Sequence, residues 1–401
     1  MKLTAREHEI VTLLRADPML DAAALAERIG STRAAVSVHL SNLMKKGVVR
    51  GRGYLLRPEA DTVLVVGGAV LDTKVRTAGP PVLGTSNPGA SSSTVGGVGR
   101  NIAENLARLG RPTVLVAPVG DDPAGEAVAD RTTAAGVDCG HLVRSPHPTG
   151  TYVAVLADSG DLHIAVADMR AADELAVADL ASVPGLLTGA DALVVDANLS
   201  ESVVRWLLNA AAEAGVLSIL DPVSVAKATA VAPVLDGTIP VHTVTPNVDE
   251  LSALVGAPVE PDVDAVRAAA ALLHERGVSH VWVRRGTAGS LLSIATASTP
   301  RVVLVDAPPT DVADVTGAGD SMTAGFVNAL LDGADVVEAA RHGQVLAALT
   351  CASPDTVRDD LTPALVAAHL TPSQPSTKEP PRGPPARRPP RPPRPSSPRR
   401  A

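Results

Sequence analysis

The sequence predicts an α/β fold: a parallel sheet covered on both faces by helices, with a small basic helical module before it and a structureless tail after it. Three observations carry that expectation. From 61 to 370, short runs of Val, Leu and Ile alternate with Ala-rich segments of helical length, the pattern of strands and crossover helices. Charge divides the chain in three: residues 1–57 hold 10 Lys and Arg against 5 acids, 372–401 hold 8 against 1, and the remainder holds 17 against 37. That asymmetry suggests a basic module, an acidic globular body and a basic tail. The tail, 372–401, holds about a dozen prolines spaced by arginines and cannot bury a core.

The first segment, 1–57, reads as three helices and a hairpin. Thr4 with Glu7 is a capping-box pattern, and Ile10, Leu13 and Leu14 supply an apolar stripe behind it. Asp17-Pro18 stops that helix. A short helix from Asp21 to Ile29 stops at Gly30. Ser31 or Thr32 caps a third helix, to about Lys46, with Val36, Leu40 and Leu43 on one face. VVRGRGYLL then alternates around a Gly-Arg-Gly turn, as a small β-wing would. The order of elements resembles the winged helix-turn-helix family. From Ser31 to Arg57 there are six basic residues and no acid. Such a helix can enter a major groove while the wing meets the backbone. DNA is therefore an expected partner, with Arg33, Ser37, His39, Lys45, Arg50 and Arg52 as candidate contacts. A basic, solvated cap that serves assembly alone is the alternative.

In the body, TVLVVGG, RPTVLVAPVG, DALVVDANLS, GVLSILDPVS, VHTVTPN, SHVWVRRG and RVVLVDA read as strands. TGTYVAVLADSGDLHIAVAD reads as a hairpin around Ser159-Gly160, outside the main sheet, as a lid. Bulk composition excludes several classes. The chain is 45% hydrophobic but only 1% aromatic, so interfaces anchored on Trp and Tyr are not expected. No charged n-region with a long apolar run opens it, and no apolar run approaches about 18 residues, so neither signal peptide nor membrane span is expected. Cys139 and Cys351 form no metal or disulfide pattern, which makes a reducing cytoplasm the expected location.

Two motifs carry chemistry. Asp314-Val315-Thr316-Gly317-Ala318-Gly319-Asp320 follows a strand and opens a helix. Glycines there let backbone N–H groups converge on an anion, aided by the helix dipole. A carboxylate beside that nest can take a proton from an attacking hydroxyl. Upstream, Gly96-Gly97-Val98-Gly99-Arg100-Asn101 places glycines before a second helix, admitting a substrate close to the backbone with Asn101 projecting an amide.

Together these motifs make residues 61–370 resemble the ribokinase-like (PfkB) kinase family. The resemblance implies a three-layer α/β/α sandwich with a small β-lid, and phosphoryl transfer from ATP to a CH2–OH group. It implies Asp320 as base, with Gly317, Ala318 and Gly319 as anion hole. Asp72, Gly97 and Asn101 would hold sugar hydroxyls. Asn247 and Glu250, in TPNVDEL, match the family's Asn-x-x-Glu and would position Mg2+ and its waters. Arg285, Gly286 and Gly289, in RRGTAGS, would lie under the ATP phosphates. Asp314 and Thr316 stand where many members bind a monovalent cation such as K+, so the candidate metal ligands are Glu250 for Mg2+ and Asp314 and Thr316 for that cation, with Thr316 also on the nucleotide side. A homodimer is the expected assembly.

Substrate choice is less sharp. The lysine that sugar-specific ribokinases carry between the glycines and the asparagine is absent. SNPG at 86–89, DMR at 168–170, DANLS at 196–200 and DPVSVAKA at 221–228 instead resemble pseudouridine kinases. That likeness implies transfer to the 5′-hydroxyl of pseudouridine, with Ser86, Asn87, Asp168, Met169 and Lys227 around the lid and base. Another nucleoside, a pentose or a hexose remains open. So does a regulator that uses the kinase fold as a ligand sensor.

Overall fold

The computed structural model describes residues 4–16, 20–45, 48–49, 61–159 and 161–370. Helices Ala5–Ala16, Ala22–Arg28 and Arg33–Lys45 form the N-terminal module. The Thr4–Glu7 box forms in both directions, Thr4 N donating to Glu7 at 2.7 Å and Glu7 N to Thr4 Oγ1 at 3.3 Å. Asp21 caps the second helix, and Thr32 accepts from Ala35 N at 3.2 Å to cap the third. Ile10, Leu14, Leu25, Val36, Leu40 and Leu43 close a core of their own. Arg50 and Arg52, most of the expected wing and the tail 372–401 lie outside the described residues.

The body holds fourteen described strands: β1 (Val63–Val66), β2 (Val70–Thr77), β3 (Gly89–Gly96), β4 (Thr113–Val116), β5 (Pro118–Val119), β6 (Val143–Arg144), β7 (Gly150–Leu156), β8 (Leu162–Asp168), β9 (Ala192–Asp196), β10 (Leu217–Asp221), β11 (Val241–Val244), β12 (Val278–Arg284), β13 (Ser290–Ile294) and β14 (Arg301–Val305). Eight make the main sheet in the order β14-β13-β12-β11-β10-β9-β1-β4. β13 pairs antiparallel with both neighbours, so the sheet is mixed rather than wholly parallel. Its interior strands read as continuous apolar runs because both faces are covered. Leu64, Val66, Leu193, Val195 and Leu220 pack into one helical layer, while Val63, Val65, Ala192, Val194 and Ile219 pack into the other. That alternation is the period of two in a strand.

The lid is larger than the single hairpin the sequence suggests. It is a four-stranded sheet in the order β3-β2-β7-β8. β2 and β3 escape a sequence reading because VLDTKVRT mixes charges into the strand and GASSSTVG is Gly- and Ser-rich. Neither shows a clean apolar alternation; their order comes from pairing, β3 on β2 and β2 on β7. Among the described residues no helix is long and apolar enough to cross a membrane.

Two helices set the depth of the second motif. Ala318–Leu331 and Val336–Cys351 approach so closely that a Cβ on Gly325 would lie 3.1 Å from Gly343 Cα. Trp282 stacks on Phe326 with ring centroids 4.8 Å apart and leaves no room for a side chain at Gly343. Gly343→Ala should therefore overpack this junction and cost about 1–3 kcal/mol. A thermal melt of the variant should show a lowered midpoint; an unchanged midpoint would mean the contact is not tight.

Candidate active site

The site forms where several elements end together. β9 ends in Asp196, β10 in Asp221 and β12 in Arg284, while Gly317-Ala318-Gly319-Asp320 opens the helix Ala318–Leu331. These three strands run parallel in the sheet, and the carboxyl ends of such strands are where open α/β sheets hold ligands. Gly317 is the helix N-cap at φ 80, a conformation that favours glycine. A Cβ there would collide with the Thr356 carbonyl. No side chain caps this end, so the first-turn N–H groups keep their capacity for an anion.

Asp320 is buried, and its Oδ2 accepts from Asn101 Nδ2 at 2.7 Å. Burial pushes its carboxyl up to about 7; Asp221 pushes the same way, while the Asn101 hydrogen bond and Arg284 pull back. Asn101 rides on the helix Val98–Arg108, entered through Gly97 at φ 99. Its orientation is fixed from behind. Arg100 Nη1 donates to Asn101 Oδ1 at 3.0 Å, so the NH2 end is the one left for Asp320. Arg100 is itself held by Glu104, which Arg108 Nε contacts at 2.8 Å. Burial lowers Arg100 to about 10, which leaves it charged at neutral pH.

Two further carboxylates tie the strand ends to the glycine turns. Asp196 Oδ2 accepts from Gly68 N at 2.8 Å and Gly99 N at 2.6 Å, while its Oδ1 accepts from Asn198 N at 2.9 Å. Burial raises this carboxyl to about 6 against those bonds. Asp221 accepts from Val223 N at 2.9 Å, Thr245 Oγ1 at 3.0 Å and Arg284 Nη1 at 3.3 Å. Val223 stands at φ 68, an outlier for a β-branched residue. Arg284 Nη2 reaches Glu250 Oε2 at 2.9 Å, and its guanidinium lies so close to Gly319 that any Cβ there would collide with it. Asn247 and Glu250 form a reciprocal cap: Asn247 Oδ1 accepts from Glu250 N at 2.8 Å, and Glu250 Oε2 accepts from Asn247 N at 2.8 Å.

This arrangement joins an anion nest, a buried carboxylate and an oriented amide, the parts a phosphoryl transfer to an alcohol requires. Residues 60–363 match the family model described as pfkB family carbohydrate kinase. The chain belongs to that family. It is an ATP-dependent phosphotransferase. Residues 3–50 match a winged helix-turn-helix DNA-binding model. The chain is 32% identical over 349 residues to the uncharacterized sugar kinase YeiI of Escherichia coli (strain K12), covering 87% of this chain and 94% of that one. It is 31% identical over 309 residues to the pseudouridine kinase of the same organism, covering 77% and 96%. Arabidopsis thaliana ribokinase, solved with ribose and ATP, superposes with a TM-score of 0.67 at 27% identity, covering 78% and 100%. A carbohydrate kinase from Agrobacterium tumefaciens gives 0.66 at 31% identity, covering 77% and 97%.

Around the pfkB centre the remaining candidates fall into four groups. Asp72, on lid strand β2, lies across Gly96, where a Cβ would collide with its carboxylate. Burial raises Asp72, opposed by Lys74 and Arg100. Arg284, Arg285, Gly286 and Asn247 line a cleft of about 620 Å3 with Asp249 and Glu260. Arg285 Nη2 donates to Pro261 O at 3.2 Å. Gly286 and Gly289 bound a short turn at φ 56 and φ 76, and a Cβ on Gly289 would strike the Val305 carbonyl. Asp314 Oδ1 accepts from Thr316 N at 2.8 Å and Thr316 Oγ1 at 2.7 Å, and lid residue Lys74 approaches its Oδ2 at 3.8 Å.

The last group makes contacts of its own. Asn87 closes its own exposed loop, its amide bonding Val82 and Thr85, with Ser86 exposed beside it. Asp168 pairs with Arg170 at 2.6 Å and Lys227 with Asp173 at 3.0 Å. In the N-terminal module Arg33 is exposed, Ser37 Oγ donates back to Arg33 O at 2.9 Å, and His39 is half-buried. The side chain of Lys45 lies outside the described residues. Asp196, Asp221 and Arg284 were not singled out from the sequence. A signal existed: each is the charged residue that ends a strand.

The titration of Asp320 gives a direct expectation. Its carboxyl is raised, so the folded protein keeps it protonated below about 7; as a general base it would have to be ionised. kcat/KM should therefore fall about tenfold per pH unit as the pH drops below that value. A profile flat from about pH 5.5 to 8 would contradict the assignment.

Proposed function

We propose that this kinase phosphorylates the 5′-hydroxyl of a nucleoside, pseudouridine first, with Asp320 as the general base. The observation that carries it is the 2.7 Å contact between Asn101 and Asp320 at the mouth of the uncapped helix. A substrate hydroxyl entering between the amide and the carboxylate would meet a donor and a base at once. Gly317, Ala318 and Gly319 would cradle the transferred group. Asp72, Gly97 and Asn101 would hold sugar hydroxyls. Asp168, Met169 and Lys227, with Ser86 and Asn87, belong to the substrate side, and Arg285, Gly286 and Gly289 to the nucleotide side. The narrower choice of pseudouridine is supported by the four shared segments and by the relative of that name. YeiI, at similar identity, supports a sugar as the second reading.

Magnesium supplies charge neutralisation on the phosphates when bound. It is commonly held by one or two carboxylates together with substrate phosphates. Glu250 fits that role: about four lone-pair sites are available to a carboxylate, and Asn247 and Arg284 take three of them. Asp314 and Thr316 are the candidates for a monovalent cation. We assign the boundaries 1–57, 61–370 and 372–401 on charge, composition and motifs, a cytoplasmic location on the two unpatterned cysteines, and a homodimeric assembly.

Asp320→Ala should lower kcat by on the order of 10²–10⁴-fold while nucleoside binding persists; unchanged turnover would remove Asp320 from the mechanism. Turnover of pseudouridine, uridine, adenosine, inosine, ribose and fructose, each with ATP and Mg2+, tests the substrate. Good turnover of another acceptor with none of pseudouridine would overturn the narrow assignment.

The N-terminal match over residues 3–50 supports DNA binding; Arg33, Ser37, His39, Lys45, Arg50 and Arg52 are the contacts we assign to it. Binding of the full chain to a labelled duplex should weaken steeply with salt, with a log–log slope of about −0.9 per phosphate contacted. No binding at about 50 mM salt would leave the module an assembly role alone.

A further inference from the structure

We propose that Arg284 is a catalytic residue: its guanidinium contacts the phosphoryl group during transfer. The proposal rests on the kinase chemistry above. Arg284 ends β12 beside the glycine nest, with its backbone N–H fixed on Pro246 O at 2.8 Å. Its side chain touches both halves of the site. Nη1 meets Asp221 Oδ2 at 3.3 Å, Nη2 meets Glu250 Oε2 at 2.9 Å, and the same group lies against Gly319, one residue before Asp320. It also lines the cleft shared with Asn247, Arg285 and Gly286.

A counter-charge for two buried carboxylates accounts for part of this. It does not account for the position beside Gly319, nor for hydrogens still available. Each η nitrogen carries two hydrogens, and each contact to Asp221 or Glu250 takes one. The remaining pair on a planar fork matches two oxygens of a phosphoryl group, a geometry a lysine cannot reproduce. The carboxylates hold the fork in place before any substrate arrives, so little reorganisation is needed at the moment of reaction.

The step balances without further reagents. The acceptor oxygen gives its proton to the Asp320 carboxylate and forms a bond to the γ-phosphorus. The bond from that phosphorus to the β–γ bridging oxygen breaks, and ADP leaves with the electron pair. Arg284 makes and breaks only hydrogen bonds, to the non-bridging oxygens, and stays charged throughout.

The test uses the full chain, ADP, Mg2+ and aluminium fluoride, with whichever acceptor of the panel the wild type phosphorylates best. In wild type, aluminium fluoride should tighten ADP binding by about 10²-fold or more, as a transition-state mimic does. Arg284→Lys keeps the charge, and its activity is read once a thermal melt shows that it folds. Its affinity for ADP alone should stay within about threefold, its kcat should fall roughly 10²–10³-fold, and aluminium fluoride should no longer tighten ADP. Wild-type tightening in Arg284→Lys, or kcat within about threefold of wild type, would overturn the proposal. If the variant does not fold, a crystal structure of wild type with the same ligands decides. A guanidinium nitrogen within about 3.2 Å of a fluoride supports the contact, and one that stays clamped away from it refutes it. A wild type that phosphorylates no acceptor in the panel would instead defeat the substrate reading proposed above.

Discussion

The site depends on how one buried carboxylate is kept from being either neutral or repelled. Asp320 shares its surroundings with Asp196, Asp221 and Glu250, all buried. Desolvation alone favours the neutral acid, and nearby negative charge adds to it. Two groups oppose this: the amide of Asn101 and the guanidinium of Arg284. The balance sets the titration of Asp320 at about 7, the range that would suit the general base proposed for it. A fully exposed aspartate would be ionised but weakly basic, and one buried without these partners would stay protonated. The architecture can be understood as the means of bringing donors from the helix Val98–Arg108 and strand β12 to an acid on a third element.

The positions of those donors come from a relay behind them. Arg100, Asn101, Glu104 and Arg108 occupy neighbouring turns of one helix, so their side chains can form a chain. That chain runs from Arg108 through Glu104 and Arg100 to the amide of Asn101. Asp196 performs the matching task for the backbone, pinning Gly68 to Gly99 through a single carboxylate oxygen. A buried charge with three backbone donors is costly to remove and costly to leave unpaired. Its presence here is better explained by geometry than by stability.

How far the sequence revealed this follows from the physics of each part. The main sheet was legible because its inner strands are buried on both faces and read as apolar runs. The glycine nest and Asp320 were legible because a φ of 80 and a missing Cβ leave a mark in the sequence. β2 and β3 were not legible. β3 is largely exposed and β2 mixes charges with half-buried residues, so composition carries little of their order, and pairing of β3 on β2 and β2 on β7 supplies the rest. Arg284 was missed for a related reason. In VWVRR it looks like a solvated strand end, and only the fold, by laying Gly319 and Glu250 against it, gives it partners. The Asn247–Glu250 pair shows the reverse case. Its spacing is visible in the sequence, yet the same spacing makes an ordinary helix cap, and the structure contains that cap.

Backbone strain at Val223 fits the same logic. A β-branched residue at φ 68 costs on the order of 1–3 kcal/mol, and no glycine relieves it. The turn it makes returns Val223 N to Asp221 Oδ1 at 2.9 Å. That bond occupies one carboxylate oxygen and leaves Oδ2 for Thr245 and Arg284. A relaxed turn that released Val223 N would free Asp221 to rotate, and Arg284 would lose one of its two anchors. A local cost of this size is small against the loss of a fixed cation at the transferring group, which is worth several kcal/mol in a phosphoryl transfer site. The strain therefore belongs to the same device as the relay: a tolerated local penalty that holds the site's charged groups in one arrangement.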